Sequence, residues 1–138
     1  MPKSSRTTLV PSALISQKIY FIHGARVMLD SDLAILYGVM TSNLNKAVAR
    51  NKDRFPKDFM FRLVPSDKKD LIFQIGISKN RGRGGSRHAP YVFTEQGVAM
   101  LSSVLRSQRA VQVNVAIMRT FVRLREMLTS HEDLRPQN

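Results

Sequence analysis

The stretch Asp30-Ser-Asp-Leu-Ala-Ile-Leu-Tyr-Gly-Val-Met-Thr-Ser-Asn-Leu-Asn-Lys-Ala-Val-Ala-Arg50 decides how this chain is read. Asp30 and Ser31 stand before an apolar-periodic run, where helix N-caps belong, and Asp32 suits the positive end of a helix dipole. The run ends at Tyr37, and Gly38 supplies a turn residue tolerant of positive φ. Thr41 is a second N-cap candidate and opens a helix through about Asn51. Ala34 is small where the first helix must approach the second. Leu33, Tyr37, Val39, Leu44 and Ala47 fall where two such helices share a core. This is the spacing of a helix-turn-helix over about residues 30–51, although an ordinary helical hairpin meets part of it.

The second helix has two unlike faces. At about 100° per residue, Leu44, Ala47, Val48 and Asn51 share one side. The other holds Ser42, Asn45, Lys46 and Ala49, flanked by Asn43 and Arg50. Short hydrogen-bonding side chains followed by basic ones suit a major groove: Asn can bond adenine in a bidentate way, and Lys or Arg can reach guanine or phosphate. A solvated face usually mixes in Glu, yet residues 33–52 contain no acid. The expected DNA-binding residues on this helix are therefore Ser42, Asn43, Asn45, Lys46 and Arg50.

Outward from this unit, residues 19–29 read as two short strands around Gly24, and residues 1–14 as a mobile Ser/Thr/Pro tail. Pro56 breaks the pattern after the second helix, and 58–63 reads as a strand closed by Pro65. Ser66 caps a short helix from Asp67 to about Phe73, and 74–78 reads as a strand. Residues 79–90 must be a loop, because they run Lys-Asn-Arg-Gly-Arg-Gly-Gly-Ser-Arg-His-Ala-Pro. Lys79, Arg81, Arg83 and Arg87 make it basic, and residues 71–94 contain no acid. Between two strands it has the character of a hairpin wing, whose arginines can follow phosphates or enter a minor groove. Tyr91 to Phe93 is a strand. Thr94 caps a helix to about Ser107, and a last helix runs over about 109–128. The mixture, without a βαβ rhythm, predicts a compact α+β domain over 15–128 with small antiparallel strands, followed by a polar tail at 129–138.

The last helix is apolar around most of its circumference. Val111, Val115, Met118 and Val122 make one stripe, and Ala110, Ile117, Phe121, Leu124 and Leu128 another, with Asn114 completing the spacing. One side packing on the domain and the other on a second copy predicts a homodimer, with Asn114 as a register-setting polar residue. A single-chain core helix is the alternative.

Composition bounds the partner. The 138 residues hold 22 Lys plus Arg against 10 Asp plus Glu, a net charge of +12, and no cysteine. A polyanion is the expected partner, most often nucleic acid. Between residues 46 and 87 basic residues number 12 against 4 acids, so this segment carries +8 of the +12. No apolar run is long enough for a bilayer, so no membrane association is expected and the expected compartment is the cytoplasm. His23, His88 and His131 are scattered without metal-ligand spacing. The acids sit where helix caps and first turns want them, and the glycines of the loop fit neither a Walker loop nor a dinucleotide fingerprint. No enzyme activity, metal or cofactor is expected.

The motifs Arg26-Val-Met-Leu-Asp-Ser-Asp-Leu-Ala-Ile-Leu-Tyr-Gly-Val, Leu44-Asn-Lys-Ala-Val-Ala-Arg-Asn, Arg54-Phe-Pro-Lys-Asp-Phe-Met-Phe and Tyr91-Val-Phe-Thr-Glu-Gln-Gly-Val-Ala-Met-Leu-Ser-Ser-Val-Leu closely resemble the phage and prophage "open-reading-frame-six N-terminal" domain. That family is related to the KilA N-terminal and Bro N-terminal DNA-binding domains. The resemblance implies a DNA-binding domain of mobile-element proteins, including antirepressor-like regulators, and no catalytic residues. It also implies, through the KilA-type relatives, a helix-turn-helix and a hairpin wing that contact DNA. Members often continue into a separate C-terminal domain. The expected function is sequence-selective binding of double-stranded DNA in a phage-type regulator. An antirepressor module that binds another regulatory protein and an RNA-binding module are the alternatives.

Overall fold

Ile22 and Ala25 pair across a two-residue turn, His23-Gly24, in which both residues have positive φ (56° and 74°). Such a turn matches the natural twist of the strands it joins, and Gly24 adopts it without strain. It closes the first hairpin of an α+β domain. The computed structural model describes residues 12–64, 67 and 90–134, with side chains for 13–64, 67 and 90–128. In chain order these hold α1 (Ser12–Ser16), β1 (Ile19–Ile22), β2 (Ala25–Leu29), α2 (Asp30–Tyr37) and α3 (Thr41–Arg50). A 3-10 turn (Lys52–Arg54), β3 (Met60–Arg62), β4 (Tyr91–Thr94), α4 (Glu95–Leu105) and α5 (Gln108–Leu134) follow. The strands form one antiparallel sheet in the order β1-β2-β4-β3.

The sheet separates two apolar clusters, because strand side chains alternate between faces. Met28 and Phe93, paired across β2 and β4, point to the helical side, where Leu33, Leu44, Val98, Leu101, Ile117 and Phe121 also pack. Val27, Leu29 and Val92 point the other way and join Tyr20, Ile22 and Leu63. Both faces of the sheet are therefore buried at its centre, while Phe21 on the edge strand β1 is exposed.

Most predicted elements are present, and the differences have physical causes. The first helix, Ser12–Ser16, begins within the last residues of the stretch expected to be tail (1–14) and is anchored by Ile15, which is fully buried among the helices. The N-cap positions of α2 and α3 are Leu29 and Met40, one residue earlier than expected, and neither helix has a side-chain cap. The Asp30 carboxylate is engaged with Ser31, Asn45 and Tyr91. Thr94 does cap α4, its hydroxyl accepting from the Gly97 N–H at 3.4 Å. Helix α5 begins at Gln108 and continues to Leu134, six residues past the expected end. The short helix after Asp67, the strand at 74–78 and the loop at 79–90 lie outside the described residues, apart from Asp67 and Pro90.

One side of α5 packs on the domain through Ala110, Ile117 and Phe121 of the expected stripe, joined by Val113, whereas Leu128 at the end of that stripe is exposed. Asn114 is on that side as well. Its Nδ2 donates to the Tyr37 hydroxyl at 2.8 Å and to the Val98 carbonyl at 2.7 Å, and the residue is buried. It therefore sets register within the chain, among α2, α4 and α5, rather than across an interface between copies. Val111, Val115 and Val122 are exposed.

Candidate nucleic-acid interface

Gly38 ends α2 in the left-handed conformation, φ 74° and ψ 33°, and a three-residue connection leads into α3. The Val39 N–H donates back to Ala34 O at 2.9 Å, which closes the turn. Leu33, Ala34, Tyr37 and Leu44 are buried, as the two-helix core requires. Val39 is not part of that core: it is 37% exposed, because the turn carries its side chain outward. Ala47 is half-buried.

The faces of α3 separate as the sequence pattern demands. Leu44 and Val48 are buried against α2 and α4, and Asn51 turns back to donate to Ala47 O at 2.8 Å. Ser42, Asn43, Lys46, Ala49 and Arg50 are exposed. Four of the five expected contact residues on this helix thus face outward together.

Asn45 is placed differently. It is half-buried, and its Nδ2 donates to Asp30 Oδ2 at 3.1 Å. Its oxygen is buried and has no hydrogen-bond partner among the described residues. Asn45 cannot reach outward without leaving Asp30, so the structure uses it to hold α3 rather than to present an edge.

Asp30 is the junction that sequence reasoning missed. It is 6% exposed. One carboxylate oxygen accepts from the Ser31 N–H at 2.7 Å. The other accepts from Asn45 and, at 3.4 Å, from the Tyr91 N–H. A buried carboxylate with several donors fixes the groups that donate to it. Asp30 therefore ties the start of α2, the middle of α3 and the first residue of β4 to one point. An Asp before an apolar run is an ordinary N-cap signal, so nothing local in the sequence announces this second use.

Tyr91 is also where the basic segment returns to the sheet. Arg62 pairs with Tyr91 in the β3–β4 register, and the Leu63 N–H donates to Pro90 O at 3.0 Å. The chain from 64 to 89 therefore leaves and re-enters at neighbouring points of one strand pair. Lys79, Arg81, Arg83 and Arg87 belong to it and lie outside the described residues. At its base, Arg62 stacks on the Tyr91 ring, 4.4 Å from the centroid, and its Nη2 donates to the Tyr91 hydroxyl at 2.9 Å. The base of the basic segment is thus linked through Asp30 to the middle of α3.

The electrostatics of this region are predominantly basic, with six exposed cations against the exposed acids Asp53 and Asp58. Lys46, Arg50, Lys52, Arg54, Lys57 and Arg62 are exposed. Among the described residues the ion pairs are Lys18–Asp32, His23–Asp67 and Arg125–Glu95, and none of these neutralises that set. No group of three or more metal-ligating side chains occurs among the described residues. No helix among them is long and apolar enough to cross a membrane.

A family model of the ORF6N domain matches residues 17–104. The chain belongs to the ORF6N domain family. This is the phage-type family that the motifs in α2, α3 and α4 resemble. The matched span takes in the described sheet, the two-helix unit and nearly all of α4, and leaves α5 outside it. No curated protein and no solved structure is significantly similar to this ORF6N chain.

Proposed function

We propose that this ORF6N domain is a sequence-selective double-stranded DNA-binding module of a phage- or prophage-type regulator. The observation that carries the reading is the Asp30 junction, which holds the exposed face of α3 and the base of the basic 64–89 segment in one frame. A helix that enters a major groove and a loop that follows the adjacent backbone need such a fixed relation. In this reading Ser42, Asn43, Lys46 and Arg50 meet base edges and nearby phosphates. Lys79, Arg81, Arg83 and Arg87 hold the backbone or the neighbouring groove. Asn45 positions the helix through Asp30. The protein acts without cofactor, metal or enzymatic step.

Selection of binding sites from a random duplex library at two salt concentrations tests this. A defined consensus is expected, with affinity falling steeply as salt rises. Asn43→Ala should relax preference at one base pair, at a cost of about 1–3 kcal/mol. Asn45→Ala should instead lower thermal stability, by about 1.5 kcal/mol, because it removes a donor from a buried carboxylate. Recovery of random sequence only, or binding insensitive to salt, would refute the reading.

An RNA-binding role would want exposed aromatics on the sheet. Phe21 on β1 is 58% exposed, but Tyr20 and Phe93 are buried, Phe59 and Phe61 are half-buried and Tyr91 is covered by Arg62, so the described sheet offers one exposed ring rather than a stacking platform, which favours duplex DNA. A protein-interaction role remains the rival, and its sign is a complex that survives high salt.

The reading includes a homodimer through α5, supported by the exposed stripe of Val111, Val115 and Val122. Two-fold pairing would place half-sites roughly 34 Å apart. Light scattering at micromolar concentration should give a dimer, and Val115→Glu should give a folded monomer. A monomeric wild type removes the pairing.

A further inference from the structure

The face of α3 leaves another set of cations unexplained, at the corner where α4 passes into α5. Arg54 follows the end of α3, and its Nη1 donates to the Ser103 hydroxyl on α4 at 3.0 Å. Arg106 is the C-cap of α4, and its Nε donates to Ser103 O at 3.4 Å. Arg109, in the first turn of α5, donates from Nε to Leu36 O at 3.1 Å. Its side chain lies 3.2 Å from where a Cβ on Gly38 would stand, just ahead of α3. The contacts therefore run from the end of α3 along α4 and back to the beginning of α3.

Three features of this row go together. The guanidinium groups of Arg106 and Arg109 are bound through Nε to main-chain oxygens, which orients their planes and leaves the terminal nitrogens for a bidentate acceptor. None of the three arginines has an acidic partner among the described residues, and residues 96–125 contain five arginines and no acid. Arg106 also stands at φ 56°, in the left-handed region where a helix normally ends in glycine. A strained backbone kept for an exposed side chain points to use of that side chain.

We propose that Arg54, Arg106 and Arg109 form a rail that binds the phosphodiester backbone of duplex DNA beside the groove that α3 enters. The rail rests on the duplex-binding reading above and extends it to residues outside the two-helix unit and the basic loop. Its contacts reach from the residues after α3, at Arg54, to the turn before it, at Gly38, so the three guanidinium groups flank α3 and offer one contact each to successive phosphates. It reads no sequence. It fixes the angle at which α3 meets the bases.

The test compares wild type, Arg106→Gly and the double variant Arg54→Gln/Arg106→Gly on a random-sequence duplex by fluorescence anisotropy across a salt series. Arg106→Gly relieves the backbone, so its melting temperature should be equal or higher. The slope of log affinity against log salt should fall by about 1 in the single variant and about 2 in the double. The consensus selected from a library should not change. Unchanged slopes on a duplex that the wild type binds would overturn the rail and leave α3 as the reader. Lost stability in Arg106→Gly would overturn it too, since the side chain would then be structural. A wild type with no salt-dependent duplex binding would defeat the duplex reading and the rail together.

Discussion

Replacing Gly97 with alanine should destabilise the domain by about 3 kcal/mol or more, which for a chain of this size lowers the melting temperature by roughly 10 °C. Gly97 lies in the first turn of α4 and is buried. A Cβ there would land on the carbonyl oxygen of Phe59 and stand 2.9 Å from its carbonyl carbon. Backbone cannot step aside as a side chain can. The same oxygen accepts from the Thr94 N–H at 3.0 Å and from the Thr94 hydroxyl at 3.3 Å, so moving it disturbs the β4–α4 corner. Thermal unfolding followed by circular dichroism checks this. A loss under 1 kcal/mol would mean that α4 can slide on Phe59.

Asn114→Leu should cost about 1–3 kcal/mol, because a leucine of similar size leaves the buried Tyr37 hydroxyl without its donor. The pair Asn114→Leu/Tyr37→Phe should cost about 1 kcal/mol less than the sum of its single changes, since both polar partners are then gone. Additive losses in a double-mutant cycle would contradict the contact. Tyr37 also predicts an alkaline limit. Burial pushes its phenol above the ordinary 10.0, and the Asn114 hydrogen bond opposes this only in part. A raised folded-state pKa gives stability that is present below the unfolded pKa and is lost as pH rises above it. Above pH 10 the unfolded chain releases a proton that the folded chain keeps, so stability falls by up to about 1.4 kcal/mol per pH unit. Tyr37→Phe should remove that component of a pH titration of stability.

The helical boundaries at Tyr37 and Thr94 were legible because each depends on local chemistry: glycine tolerates the left-handed turn after α2, and a hydroxyl can accept from the first turn of α4. The extent of α5 was not legible. Polar residues after Leu128 reveal exposure, not whether the helix stops. Spacing alone places Val39 in the core, yet the angle of the turn carries it outward. Their place on a helix suggests outward roles for Asn45 and Asn114, yet both hydrogen-bond inside the chain to groups 15 residues or more away. Arg54, Arg106 and Arg109 are scattered over 56 residues of sequence, so no window could show them as one row.

By itself the sequence determined the α+β class, the two-helix unit, the polar face of α3, the basic character of the 79–87 stretch and the family. Each follows from patterns within a few turns of helix or strand, where apolar spacing, glycine and proline act locally. Only the tertiary structure decided which polar side chains remain available to a ligand. Asp30, Asn45 and Asn114 are consumed by partners distant in sequence, while Lys46, Arg50 and Arg106 are left facing out. The reason is that a buried polar group must find a partner wherever the fold supplies one, and that partner is set by packing rather than by sequence neighbours.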